Sequence, residues 1–120
     1  MIQHVTLEVR PSDVEHCVAF YLLVGFERVS PPQSLADRVE WLQHGPTQLH
    51  LLHTEDSPGE HPGHFAVVVD DYEATLRTLR EAGHEPDPRG EHWGSPRAYV
   101  ADPAGNRVEV MAFGPGAVPE

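Results

Sequence analysis

His4-Val5-Thr6-Leu7-Glu8-Val9 and His64-Phe65-Ala66-Val67-Val68-Val69 lie sixty positions apart and open in the same way. In each, every second residue is apolar: Val5, Leu7 and Val9 in the first, Phe65, Val67 and Val69 in the second. That is the period of a half-buried strand, and it leaves both histidines on the opposite face. A helix start follows each strand. Ser12-Asp13-Val14-Glu15 reads as a capping box, and Asp70-Asp71 places acidic groups ahead of a helix over Tyr72 to Ala82. Both helices stop at glycine, in Gly25-Phe26-Glu27 and Gly83-His84-Glu85, so the second copy is two residues shorter through its helix.

Working outward, each copy carries a short strand after its glycine and then a hairpin. The hairpin strands are Val39 to His44 with Thr47 to His53, and Arg97 to Asp102 with Arg107 to Phe113. Their turns, Gly45-Pro46 and Pro103-Ala104-Gly105-Asn106, are rich in residues that favour turn dihedrals. Leu49-His50-Leu51-Leu52 aligns with Val108-Glu109-Val110-Met111, again with one polar position between apolar ones. The sequence therefore predicts an α+β fold of two βαβββ modules in a single domain, 1–120. Module 1 covers about 1–53, a polar, turn-rich linker spans 54–62, and module 2 covers about 63–114.

Composition narrows the function classes. The 120 residues carry 8 Lys+Arg against 19 Asp+Glu, a net charge of −11. With no basic stripe to offset it, this charge argues against nucleic-acid and membrane-surface partners. Apolar runs such as Cys17 to Val24 are far shorter than the roughly 20 residues of a membrane span, and Met1-Ile2-Gln3-His4 shows no export leader. A lone Cys17 among Val14, Val18 and Tyr21 reads as a small core residue in a reducing compartment, so a cytoplasmic protein is expected. Nine histidines are the compositional oddity.

Two such modules are expected to pack about a pseudo-twofold axis, within one chain or across a homodimer, bringing equivalent positions together. The faces away from the helices then offer His4 and His50 from one module, His64 and Glu109 from the other. Three imidazoles and a carboxylate suit one divalent metal ion, Zn, Fe, Ni, Mn or Co, with no thiolate to select further. An unpaired Glu109 on an inner sheet face would cost several kcal/mol unless a cation or donor met it. By alternation Arg97, Tyr99 and Ala101 face inward with Val39, Trp41 and Gln43. Arg97 then suits a substrate carboxylate, and Trp41 and Tyr99 suit the walls of an organic pocket. His92-Trp93-Gly94-Ser95 reads as a lip over the cup or as a plain surface loop, and His16, His44, His53, His61 and His84 carry no assigned chemistry.

These residues carry a resemblance. His4-x-x-Leu7-x-Val9, Phe20-Tyr21 with Gly25-Phe26-Glu27, His64-Phe65-Ala66-Val67 and Asp102-Pro103-x-Gly105-Asn106-x-x-Glu109 resemble the vicinal oxygen chelate superfamily over essentially the whole chain. That superfamily includes glyoxalase I, extradiol dioxygenases, methylmalonyl-CoA epimerase, and fosfomycin and bleomycin resistance proteins. The resemblance implies a cupped mixed sheet with helices outside, a divalent metal at its centre and frequently a homodimer. His4, His50, His64 and Glu109 fall on the four ligand positions of glyoxalase I-like members. Glyoxalase I commonly has glutamate where His50 stands. Dioxygenases and fosfomycin resistance proteins resemble this chain in using two histidines and one glutamate, here His4, His64 and Glu109, which would leave His50 facing the substrate.

The resemblance implies chelation of vicinal oxygens by a Lewis-acidic metal, with Glu109 or His50 as the catalytic proton shuttle. Tyr99 is shared with fosfomycin resistance proteins, whereas their lysine-bearing loop has no counterpart here. The expectation is a metal-dependent enzyme, lyase or isomerase in preference to dioxygenase, acting on a small vicinally oxygenated substrate. The alternative is a bleomycin-resistance-like protein that sequesters a cationic small molecule without catalysis, a reading the net charge favours.

Overall fold

The computed structural model describes residues 2–55, 63–91 and 93–114. The alternating segment at the start of the chain forms β1 (His4–Val9), and its burial alternates along the strand. The chain then runs through a 3-10 turn at Pro11–Asp13, α1 (Val14–Leu23), β2 (Glu27–Val29), β3 (Val39–His44) and β4 (Thr47–His53). The second copy gives β5 (His64–Val68), α2 (Tyr72–Glu81), β6 (Asp87–Arg89), β7 (Arg97–Ala101) and β8 (Arg107–Met111). The two copies fall in two compact units, Met1–Gly59 and Glu60–Glu120.

Each unit holds one four-stranded mixed sheet, ordered β1-β4-β3-β2 in the first and β5-β8-β7-β6 in the second. The first strand of each runs parallel to the last, and the remaining pairs are antiparallel. A crossover through a helix makes the parallel pairing possible, whereas short turns make the hairpins. In the first unit Val9, Cys17, Phe20, Tyr21, Leu42 and Leu51 are fully buried. In the second, Leu76 and Leu79 of α2 are buried, as are Ala98, Val100, Val108 and Val110 of the sheet. Each buried Val, Leu or Phe side chain among them contributes about 1.5–3 kcal/mol. Among the described residues no helix is long and apolar enough to cross a membrane.

The helix ends show where local signals held. Gly25 and Gly83 end their helices at φ +105° and +94°, a region L side chains enter at a cost. The Asp71 side chain accepts from the Ala74 backbone N–H at 3.0 Å and caps α2. The expected capping box at α1 does not form. Pro11 sets its turn going one step earlier: the Asp13 N–H donates to Arg10 O at 2.9 Å, and Asp13 adopts helical dihedrals with no side-chain cap bond.

The second hairpin is shorter than its apolar pattern, ending at Ala101 and Met111 rather than Asp102 and Phe113. Asp102 is only 4% exposed and folds back on the turn. Its Oδ1 accepts from the backbone N–H groups of Ala104 and Asn106 at 2.9 and 2.8 Å, and its Oδ2 from Asn106 Nδ2 at 3.0 Å. Residues 56–62 of the expected linker, with His61, and also His92, lie outside the described residues.

Candidate metal and substrate site

The sheet register lays out the face of each unit that is turned away from its helix. In the first unit Trp41, His50 and Thr6 form one cross-strand row and Gln43, Gln48 and His4 the next. Trp41 and His50 stack with centroids 4.1 Å apart and 3° between planes, and His4 stacks on His50 at 4.2 Å and 17°. His50 Nε2 donates to Gln48 Oε1 at 3.0 Å, which leaves Nδ1 as its acceptor nitrogen. Burial between these rings, and then the charge of His4, hold the His50 pKa below its ordinary 6.5. His50 is therefore biased towards the neutral imidazole that binds metals or takes a proton.

In the second unit the equivalent rows are Asp87, Tyr99, Glu109 and Ala66, then Ala101, Arg107 and His64. Glu109 is 7% exposed, so its charge needs partners. His64 Nε2 stands 3.1 Å from Oε1 and Arg97 Nη1 3.5 Å from Oε2. Arg97 is also tied through Nε to Gly90 O at 2.8 Å. The Tyr99 ring meets the edge of His64 at 5.1 Å. The guanidinium carbons of Arg107, Arg89 and Arg97 lie 4.9, 5.3 and 5.6 Å from its centroid.

The structure thus brings His4 together with His50, and His64 together with Glu109. Among the described residues no group of three or more His, Cys, Asp or Glu is gathered that could hold an ion. Of the expected substrate residues, Arg97 is engaged by Glu109 and one face of Trp41 is covered by His50, while Tyr99 is ringed by cations. Sequence reasoning missed Gln48, Arg89 and Arg107. Arg107 was within reach, because it lies two positions before Glu109 on the same strand and must share its face. Trp93 and Ser95 are fastened to the residues beyond β8: Trp93 Nε1 donates to Phe113 O and the Phe113 N–H to Ser95 Oγ, both at 3.0 Å.

A family profile described as the Glyoxalase/Bleomycin resistance protein/Dioxygenase superfamily matches residues 1–110. The chain belongs to that superfamily. A structure assigned to the glyoxalase family from Bacillus anthracis is 27% identical, with a TM-score of 0.84 over 92% of this chain and 93% of that one. A lactoylglutathione lyase from Agrobacterium tumefaciens is 23% identical, with a TM-score of 0.70 over 92% of both chains. A bleomycin-binding protein solved with bleomycin is 21% identical, with a TM-score of 0.68 over 95% of this chain and 98% of that one. A search of curated proteins returned no significant match. The superfamily thus holds enzymes and a ligand-binding protein on one fold, so function here has to be argued from the site.

Proposed function

We propose that this superfamily member is a metal-dependent enzyme, a lyase or isomerase of the glyoxalase type, acting on a small vicinally oxygenated organic substrate. The observation that carries the reading is the buried Glu109 with His64 Nε2 3.1 Å from its Oε1. Two donors bonded at right angles to one ion at about 2.1 Å lie about 3.0 Å apart, so this pair fits a metal with little movement. His4 adds a second imidazole, its Nδ1 beside Gln3 Oε1 at 2.7 Å leaving Nε2 available as a ligand nitrogen. His4, His64 and Glu109 would hold the ion (Zn, Fe, Ni, Mn or Co), with His50 as a fourth ligand or as the group facing the substrate. A divalent ion there would supply Lewis acidity to vicinal oxygens.

The chain's own groups do the remaining work. His50 presents Nδ1 as a base, is biased towards its neutral form, and is held in plane between His4 and Trp41. Glu109 is the second candidate to take and return the proton, with Arg97 orienting its far oxygen. A cytoplasmic homodimer completes the proposal. The fully buried Cys17 thiol supports a reducing compartment.

The test is metal content of the purified protein by mass spectrometry, with His4→Ala and Glu109→Gln alongside. About one ion per chain is expected, with affinity weakened roughly tenfold or more in Glu109→Gln, since that change removes the anionic ligand. Unchanged metal content in both variants would overturn the assignment. One observation favours a second reading, sequestration of a planar cation. The first unit's face stacks three rings and carries Glu8 and Glu27, while Arg28 of β2 lies on the opposite face, paired with Glu15 of α1. A protein that resists metal loading yet binds such a cation would establish that alternative.

A further inference from the structure

We propose that the substrate of this site is an organic anion, and that Arg107 receives its carboxylate or phosphate group. The inference rests on reading His64 and Glu109 as part of the active site, and it adds the substrate's charge and its anchoring residue.

The first observation is a clustering of arginines in a chain that is acidic as a whole. All 8 basic side chains are arginine, set against 19 acidic ones, yet three of them converge on the ring of Tyr99. Long-range attraction of anions by a chain of charge −11 is absent, so an anion must be held by contacts at this spot.

The second observation is which of the three is open to a ligand. Arg97 is engaged by Glu109 and Gly90, and Arg89 Nε faces Asp87 Oδ2 at 3.5 Å. Arg107 makes no ion pair among the described residues, and its guanidinium lies over the face of Tyr99 at 4.9 Å. It is half-buried and its guanidinium rests on the ring, with no ion pair to its donors among the described residues.

The third is space. Arg107, Tyr99, Ala101, Gly105, Asp87 and Glu85 line an open recess of about 160 Å³. A carboxylate or phosphate group with its first carbons fits that volume. Of the two acids, Asp87 is paired with Arg89, and Glu85 is exposed, where solvent screens it. Arg107 is paired in register with His64 and precedes Glu109 by two residues. An anion on its fork therefore lies one strand row, roughly 7 Å, from the ligand pair, within the length of a small substrate.

The test uses the full chain after metal removal by dialysis, so that an anion cannot be held by an ion and the metal reading stands or falls separately. Backbone and arginine side-chain NMR signals are followed during titration with inorganic phosphate in one series and acetate in the other. Saturable shifts at Arg107 and Tyr99 with one or both anions are expected, and the series that binds names the group. Arg107→Ala should weaken that binding about tenfold or more, as loss of a charge-assisted pair does. Arg107→Lys should restore part of it, and Arg77→Ala on the exposed face of α2 should change nothing. Absence of shifts with both anions overturns the proposal. Equal affinity in wild type and Arg107→Ala overturns it too, and circular dichroism establishes that each variant is folded.

Discussion

The two units lay the same grid over their sheets and then diverge on one face of it. His4 and His64 hold matching places, as do Gln48 and Arg107, Trp41 and Tyr99, His50 and Glu109, and Val39 and Arg97. On the helix side the buried aliphatic core matches, Leu49 and Leu51 being answered by Val108 and Val110, while the first unit alone adds the Arg28 ion pairs with Glu40 and with Glu15 of α1. Turned the other way, the first unit stacks Trp41, His50 and His4 face to face while the second surrounds its ring with guanidinium groups. The buried core is therefore constrained by packing and stays alike, and the opposite face is released to chemistry. A ring beside a neutral imidazole stacks flat, and a ring beside arginines becomes a platform for cations.

The sharpest way to break the comparison is at the hairpin turns. In the second unit Asp102 holds the turn by three hydrogen bonds, while in the first the turn relies on Gly45 at φ +58°. Asp102→Ala should cost about 3 kcal/mol and lower Tm by roughly 10 °C, whereas Gly45→Ala should cost only about 1 kcal/mol. Equal losses in calorimetry would mean that the two turns are held alike. Next in size is Arg97→Leu, which leaves the buried Glu109 carboxylate without its guanidinium and should cost about 2 kcal/mol. The double variant Arg97→Leu/Glu109→Gln should recover part of that loss. Val39, the counterpart of Arg97, has no charge to protect, so the recovery belongs to the second unit alone.

The smallest effect concerns His50. In the metal-free protein its NMR titration midpoint should lie below 6.5, and Trp41→Ala should move it back further than His4→Ala, since burial is the larger cause. The unfolded chain takes up this proton first as pH falls. The contribution of His50 to stability is therefore intact above pH 6.5 and is lost as pH drops through the folded midpoint. A midpoint at or above 6.5 would show that the ring stack does not shield it.

What could be read from the amino acids follows the same division. The β1 and β5 segments, both hairpins and both glycine stops carry period and turn chemistry in their own residues, so they were legible. The α1 start was misread because Pro11 brings Ser12 and Asp13 into helical geometry, where neither side chain can cap. The Asp102-Pro103-x-Gly105-Asn106 stretch, the most specific part of the family pattern, serves as a turn lock. The cations around Tyr99 were not legible as a group. Asp87-Pro88-Arg89 is three exposed residues with no apolar alternation, so only the pairing of Asp87 with Tyr99 reveals where Arg89 reaches.

The parallel pairing of β1 with β4 and of β5 with β8 also sets an order of assembly. His4 meets Gln48 and His64 meets Arg107 across more than forty positions, whereas β3 and β4 are joined by Gly45 and Pro46 alone. Hairpins form within about 1–10 μs, while pairings over such separations wait on a larger loop-closure entropy. His50 and Glu109 sit in the early hairpins, and His4 and His64 ride on the strands that dock last. The proposed ion would need both kinds of residue, so its capture would wait on those strands, and metal uptake followed in time would then mark the final step of folding.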